Sequence, residues 1–274
     1  MESNNIKTMK LYQYPERIYN DLKALGIEED SMLTVKQLAN FDQYHYFGTD
    51  AVDDAIQTLS INSKSKVIEI GSGIGGPARY MANKANCHVT ALELQPDLHN
   101  IACSLTERCK LNAHVEHLCG NIFDFSNYNT FDVLVSLLVF LHIPDRNLLL
   151  KKCYEILRLN GKIFIEDFYE RGQFSDSEIK ILSEDVYCDY LPTLEQYRIQ
   201  LVGSGFKDVQ LIDKTAVWAN FVTDRTKQFI ENRQHIIDVQ GVEIVEGLEY
   251  FYQRMSCLFE NGNLGGVRVI AKKT

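Results

Sequence analysis

Short apolar runs and amphipathic stretches alternate through the middle of this chain. Val67–Ile70 is an apolar run, followed by the glycine-rich turn Gly71–Gly76 and a helical pattern to about Ala85. His88–Leu92 predicts a second strand, Pro96–Cys109 a helix, and Val115–Cys119 a third strand. Phe131–Ser136 predicts a fourth strand, Arg146–Leu157 a helix, and Lys162–Glu166 a fifth strand. Strand–helix alternation with short links implies right-handed crossovers and a doubly wound α/β sheet.

Either side of this block the pattern is helical. Pro15–Leu25 places Ile18, Leu22 and Leu25 on one face, and the aromatic-rich stretch from Thr34 ends in Tyr44-His45-Tyr46-Phe47-Gly48. Thr49 reads as the cap of a helix running to about Leu59. After Asp167 come a polar helix-like stretch over Ser175–Asp185, a helix over Thr193–Gly203, and a sixth strand, Val209–Asp213. Two long helical segments, Phe221–Asp238 and Val242–Glu260, precede the glycine-led last strand, Val267–Lys272. We expect one domain spanning 1–274. Residues 48–213 and 265–274 form its core, and 1–47 with 214–264 a helical cap over the sheet's carboxyl edge.

Composition narrows the function classes. Apolar residues make up 45% and charged residues 24% of the 274, as in ordinary globular proteins. The formal charge of −9, with no basic run, argues against nucleic acid as a partner. No apolar run is long enough to span a membrane, and Met1–Lys10 lacks a signal-peptide core, so the expected setting is the cytoplasm. The seven cysteines are odd in number and form no C-x-x-C pair, which suits reduced thiols. His114, His117 and Cys119 raise a metal site, but they fall on a strand where i and i+3 face opposite ways, so they read as ordinary strand residues with no metal. Oligomeric state is not legible.

The candidate chemistry lies in Val67-Ile68-Glu69-Ile70-Gly71-Ser72-Gly73-Ile74-Gly75-Gly76. Gly71, Gly73 and Gly76 satisfy G-x-G-x-x-G, which alone fits a nicotinamide dinucleotide or another nucleoside cofactor. Glu69, two residues before the turn, would repel a pyrophosphate and attract a cationic sulfonium and its amino group. Pro77 suits a helix's first turn. Glu93 closes the second strand, where an acid accepts ribose hydroxyls.

With these residues the chain resembles the class I S-adenosylmethionine-dependent methyltransferases, over about Phe41–Asp213. Ile68–Arg79 is similar to their first motif in its GIGGPAR form, and Leu157–Lys162 to their LKPGG turn, with Asn160 where proline is usual. The resemblance implies a Rossmann-like seven-stranded sheet with an antiparallel last strand. It implies S-adenosyl-L-methionine as cofactor, held by Glu69, Gly71, Ser72, Gly73, Glu93, Leu94, Asn121, Ile122 and Leu137. Asn121 stands where an aspartate commonly flanks the adenine.

Small-molecule acceptors are expected at the carboxyl ends of the fourth and fifth strands. His142, just after strand four, is the candidate base. Here the chain resembles the phosphoethanolamine and sarcosine/dimethylglycine N-methyltransferases, which carry an aspartate where this chain has Leu138. Asp167, after strand five, is the candidate partner of a cationic amine. Tyr187, Tyr190 and Trp218 are candidates for an aromatic cage, and Tyr44 and Tyr46, flanking His45, for a lid. These features favour methylation of a small amine. A lipid or sterol-like C-methyltransferase, which shares GIGGPAR, is the nearest alternative. A nicotinamide-dependent oxidoreductase and a non-catalytic nucleotide-binding protein are the alternatives of other classes.

Overall fold

The apolar runs assemble into a seven-stranded sheet in the computed structural model, which describes residues 8–274. The strands are β1 (Lys66–Ile70), β2 (His88–Glu93), β3 (Val115–Cys119), β4 (Phe131–Leu137), β5 (Leu157–Glu170), β6 (Lys207–Asp213) and β7 (Leu264–Lys272). Their order is β3-β2-β1-β4-β5-β7-β6. Strands β1 to β5 pair in parallel, while β7 runs antiparallel to both β5 and β6. The doubly wound sheet and its reversed last strand are as the sequence predicts. Strand order reverses between β1 and β4, and the crevice beyond their carboxyl ends is where such sheets bind ligands.

Helices α1 (Arg17–Ala24), α2 (Val35–Leu38) and α3 (Gly48–Leu59) precede the sheet. The parallel strands are linked by α4 (Gly76–Ala85), α5 (Pro96–Arg108) and α6 (Arg146–Ile156). Helices α7 (Asp176–Glu184) and α8 (Leu194–Gly203) lead to β6, and α9 (Thr215–Glu231), α10 (Arg233–Gln240) and α11 (Val242–Glu260) lead to β7. Alternate residues of each central strand enter different cores. Ile68 and Leu134 pack with Phe140, Leu149, Leu150 and Phe206 under α6 and α8, whereas Val67, Val133 and Val135 pack with Val52, Ala78 and Met81 under α3 and α4. Burial on both faces explains why these strands read as unbroken apolar runs. Among the described residues, no helix is long and apolar enough to cross a membrane.

Three elements depart from the pattern. Thr49 is not a helix cap: α3 begins at Gly48, preceded by Phe47 in the left-handed region (φ 61°) with no side-chain cap. The expected helix over 221–238 starts earlier, where Asp213 accepts the Thr215 N–H at 2.8 Å, and breaks at Asn232, whose side chain bonds back to the Gln228 carbonyl at 2.8 Å. Strand β5 is far longer than expected because β7 runs beside it from Lys162↔Lys272 to Glu170↔Leu264. The glycine lead into the last strand has a packing reason. A Cβ on Gly266 would lie 2.2 Å from the Trp218 ring, which rests directly on the β7 backbone.

The N-terminal segment is locked to the sheet by a fully buried ion pair. Arg79 on α4 donates to Asp42 at 2.9 Å, and both side chains are 0% exposed. Arg79 also bonds Thr106 Oγ1 and the Ala102 carbonyl on α5, at 3.2 and 3.3 Å. A Cβ on Gly76 would sit 2.1 Å from the Asp42 carbonyl, so the last glycine of the motif is needed for backbone contact with this segment. Removing one member leaves the other charge buried and unpaired. Asp42→Ala should therefore lose about 3–5 kcal/mol in urea denaturation, and Asp42→Ala with Arg79→Met should recover part of that loss.

Candidate active site

The turn after β1 is shaped by its backbone bonds. Gly71 and Ser72 donate to the Leu92 carbonyl on β2 at 2.8 and 3.1 Å, and Gly75 donates to the Ser72 carbonyl at 2.8 Å. A small cavity of about 50 Å³, open to solvent, lies beside this turn. Glu69, Gly71, Ser72, Gly73, Ile74 and Pro77 form one wall. Leu137, Leu138 and Val139 enter from the end of β4, and Tyr12, Asp42, Tyr44 and His45 come from the N-terminal segment.

Two polar atoms at the first wall are buried without a partner, although the Glu69 carboxyl also takes a backbone hydrogen bond from Ala78. Glu69 is 2% exposed, and neither its Oε2 nor Ser72 Oγ has a hydrogen bond. The cation that would neutralise Glu69, Arg79, is committed to Asp42. Burial pushes the Glu69 carboxyl well above the usual carboxylate range, opposed by Arg79 and reinforced by Glu93. A carboxyl so placed is suited to pairing with a cation.

Glu93 holds the turn from the side. Its two oxygens accept the Gly73 N–H at 2.8 Å and the Gln95 N–H at 2.9 Å, and each oxygen keeps lone-pair capacity. Burial raises its pKa, and these backbone donors pull it back. Leu94 beside it is 37% exposed, and Gly73 and Gly120 both face open space. Asn121 and Ile122 follow Gly120, but the Asn121 oxygen is already engaged: it accepts the Phe123 N–H at 3.0 Å and caps the short 3-10 turn Ile122–Asp124. Ile122 packs into the core.

Beyond β4 the chain turns sharply at Leu138 (φ 57°), whose N–H bonds the Glu166 carbonyl at 2.8 Å, into the 3-10 turn Phe140–His142. His142 Nδ1 lies 3.2 Å from the Tyr187 carbonyl. A nitrogen facing a carbonyl must carry the proton, which leaves Nε2 with the lone pair. A backbone oxygen thus orients this ring, where an aspartate is missing at Leu138. Burial pushes the imidazole down to about 4, against the Tyr187 hydrogen bond that favours the charged form. Tyr12, which lines the cavity, packs edge-on against His142 with ring centres 6.3 Å apart.

Several expected site residues lie elsewhere. Asp167 does not face an acceptor: it is 0% exposed, accepts from Arg146 Nη1 at 2.6 Å and from the Tyr197 hydroxyl at 3.1 Å, and anchors β5 to α6 and α8. Trp218 is also 0% exposed and is core, packed with Tyr46, Phe168 and Phe259. Tyr46 belongs to that same cluster rather than to a surface lid. The Tyr190 hydroxyl accepts from Gln200, Tyr187 bonds Thr8 through its hydroxyl, and neither is among the residues lining this cavity. The cavity residues to which the sequence assigned no site role are Tyr12, Asp42, Ile74, Pro77 and Val139. Pro77 was legible as part of the motif. Tyr12 carried no local signal.

Comparison with known proteins now bears on this geometry. Residues 68–165, from β1 through β5, match the family model described as a methyltransferase domain. Residues 68–165 carry a methyltransferase domain. Over 196 residues it is 27% identical to the phosphoethanolamine N-methyltransferase of Plasmodium falciparum, covering 69% of this chain and 71% of that one. It is 25% identical over 203 residues to the sarcosine/dimethylglycine N-methyltransferase of Halorhodospira halochloris, covering 73% and 71%. It spans 42% of the maize and wheat phosphoethanolamine N-methyltransferases that it matches. The fold is similar to that of phosphoethanolamine N-methyltransferase 2 of Haemonchus contortus, with a TM-score of 0.80 at 18% identity, over 97% of this chain and 58% of that one. The nicotinamide alternative falls with this match.

The buried His142 makes the protein's stability depend on pH. In the unfolded chain the imidazole protonates near 6.5, in the folded protein near about 4. Between these values the unfolded state binds more protons, so stability present above pH 6.5 is lost as pH falls towards 4. The slope is up to about 1.4 kcal/mol per pH unit. Denaturation of the wild type and His142→Gln between pH 6.5 and about 5 should show the gap between them shifting against the wild type.

Proposed function

We propose that this methyltransferase transfers a methyl group from S-adenosylmethionine to the nitrogen of a small amine. The carrying observation is His142, held neutral just after β4 with Nδ1 on the Tyr187 carbonyl and packed against the cavity residue Tyr12. The names of the related N-methyltransferases support the same acceptor class. The residues at the glycine turn fit the donor. Glu69 Oε2 and Ser72 Oγ are buried acceptors awaiting a cationic partner, and Gly73 and Gly120 leave room beside Glu93. When bound, S-adenosylmethionine supplies an electrophilic methyl group on a sulfonium.

The chain's own residues do the rest. Glu69 and Ser72 would hold the methionyl end, Glu93 would accept from the ribose hydroxyls, and Leu94 with Asn121 and Ile122 would border the base. Leu137, Leu138 and Val139 make the wall that keeps water from the reacting atoms. The N-terminal segment, with Tyr12, Tyr44 and His45, forms the lid, and α9 to α11 complete the cap. His142 Nε2 would accept a hydrogen bond from the amine and so turn the amine nitrogen's own lone pair towards the methyl group. A histidine whose pKa is about 4 is a weak base, so orientation is its first duty and proton acceptance follows as charge develops on nitrogen.

Two variants test this. Glu93→Ala should weaken S-adenosylmethionine binding by about 1–3 kcal/mol in titration calorimetry, with the fold intact by circular dichroism. His142→Ala should lower kcat by about 10²–10⁴-fold on an amine while cofactor affinity barely moves. A product screen by mass across amines, phenols, thiols and sterols sets the class, and turnover confined to the last three ends the amine reading.

A further inference from the structure

A second cavity opens at the amino ends of β4 and β5, at the opposite edge of the sheet from the glycine turn. It measures about 290 Å³, larger than the cavity beside that turn and close to the lower bound of about 300 Å³ for small-molecule sites. Lys64 and Ser65 come to it from the loop after α3, Asp132 from the start of β4, and Arg158, Asn160 and Lys162 from the start of β5. Leu59 and Val133, both buried, give it an apolar base.

Cations outnumber anions here. Lys162 stands directly opposite Lys272 on β7, and Lys272 opposite Lys207 on β6, so three lysines follow one another across three strands. Two residues along their strands, Phe164 and Ile270 pack with the core under α3 and α4, which puts Lys162 and Lys272 on that same face. Like charges directly opposite one another destabilise a sheet unless a counter-charge joins them. Asp132 is the acid lining the cavity, and it is already engaged: it accepts the Lys66 N–H at 2.8 Å and pairs with Arg158. Among the described residues, no carboxylate forms an ion pair with Lys64, Lys162, Lys207 or Lys272.

Neutral donors complete the rim. Asn160 lies in the left-handed region (φ 66°), a conformation closed to the proline of the LKPGG pattern. Its N–H bonds the Lys273 carbonyl at 2.9 Å, and the Lys273 N–H returns to the Gly161 carbonyl at 2.8 Å, which holds Lys272 beside Lys162. The Asn160 side-chain amide keeps its donors, and the Ser65 hydroxyl, which accepts the Asn62 N–H at 3.0 Å, keeps its own. The departure from the usual turn thus puts a hydrogen-bonding side chain on the cavity where the pattern has none.

We infer that this cavity is a second ligand site, separate from the methyl-transfer site, which takes a small molecule bearing a phosphate dianion or a short chain of phosphates. It holds whichever acceptor the enzyme methylates. Separate ammonium groups spread around a concave site suit the tetrahedral oxygens of phosphate, whereas one planar carboxylate would leave most of them unpaired. With −9 on the chain as a whole, this is an isolated basic hollow sized for one small anion and not a track along a nucleic-acid backbone. The phosphate has two sources, a free small molecule or a lipid headgroup, and the test separates them.

Titration calorimetry of the full chain with inorganic pyrophosphate, at fixed ionic strength, should show saturable one-to-one binding. Saturating S-adenosylhomocysteine should change that affinity by less than about threefold, because the two cavities lie at opposite edges of the sheet. Lys162→Gln should weaken pyrophosphate about 10-fold and Asn160→Gly about threefold. Lys180→Gln, which removes one exposed positive charge from α7, should leave it unchanged. Without the anion, Lys162→Gln should melt at or above the wild-type temperature, since it relieves the opposed lysines, and pyrophosphate should raise the wild-type Tm more than the variant's. Co-sedimentation with phosphatidylcholine vesicles carrying phosphatidylinositol phosphate, competed by pyrophosphate and lost in Lys162→Gln, would assign the lipid headgroup. Pyrophosphate binding without vesicle binding would assign the free phosphate compound. No saturable binding, equal weakening by Lys162→Gln and Lys180→Gln, or displacement of pyrophosphate by S-adenosylhomocysteine would overturn the inference. A single-stranded oligonucleotide that displaces pyrophosphate and binds more tightly with each added nucleotide would make the hollow part of a nucleic-acid surface and overturn it too.

Discussion

The buried pair between Asp42 and Arg79 holds the site together. Arg79 stands in the first turns of α4, just after the glycine turn, and its Nη1 reaches α5. Asp42 belongs to the segment that supplies Tyr44 and His45 to the cavity. One guanidinium thus sets the spacing of the turn, the neighbouring helix and the N-terminal wall. The net energy of such a pair is small once desolvation is counted, but either charge alone would be costly, so the segment has one low-energy position. The pair also withholds Arg79 from Glu69, which keeps that carboxylate available to a cationic ligand.

Burial does most of the electrostatic work around the cavity. It raises Glu69 and lowers His142, disfavouring the charged form of each until a ligand arrives. At Glu69 the missing counter-charge is positive. At His142 the Tyr187 carbonyl selects the tautomer, so the free nitrogen is the one with a lone pair. The turn carrying His142 runs directly into α6, where Arg146 lies over Phe140 and Tyr197 and grips Asp167. Asp167 therefore serves the site through the framework and not by contact with an acceptor.

Much of the framework was legible in the residue order because it follows from local rules. Central strands buried on both faces give continuous apolar runs, and the links between them give helical periods. The glycine motif, Pro77 and the acids Glu69 and Glu93 stand at strand ends, where their positions along the chain already place them at the crevice. Thr49, the break at Asn232 and the full length of β5 were not legible. The first two depend on a single backbone conformation or side-chain bond, and the third on a partner strand about a hundred residues away.

What the sequence by itself determined was the sheet, its crevice, and the residue types brought to the crevice's first wall. Only the tertiary structure decided which charges meet. Asp167 is adjacent in sequence to strand residues and reads as a site acid, yet Arg146 and Tyr197 claim it from two other helices. Trp218 reads as a cage residue, yet the bare backbone of Gly266 draws it into the core. Periodicity reports which way a side chain points, but pairing and desolvation depend on groups tens to hundreds of residues apart, which only the folded chain brings within a few ångströms.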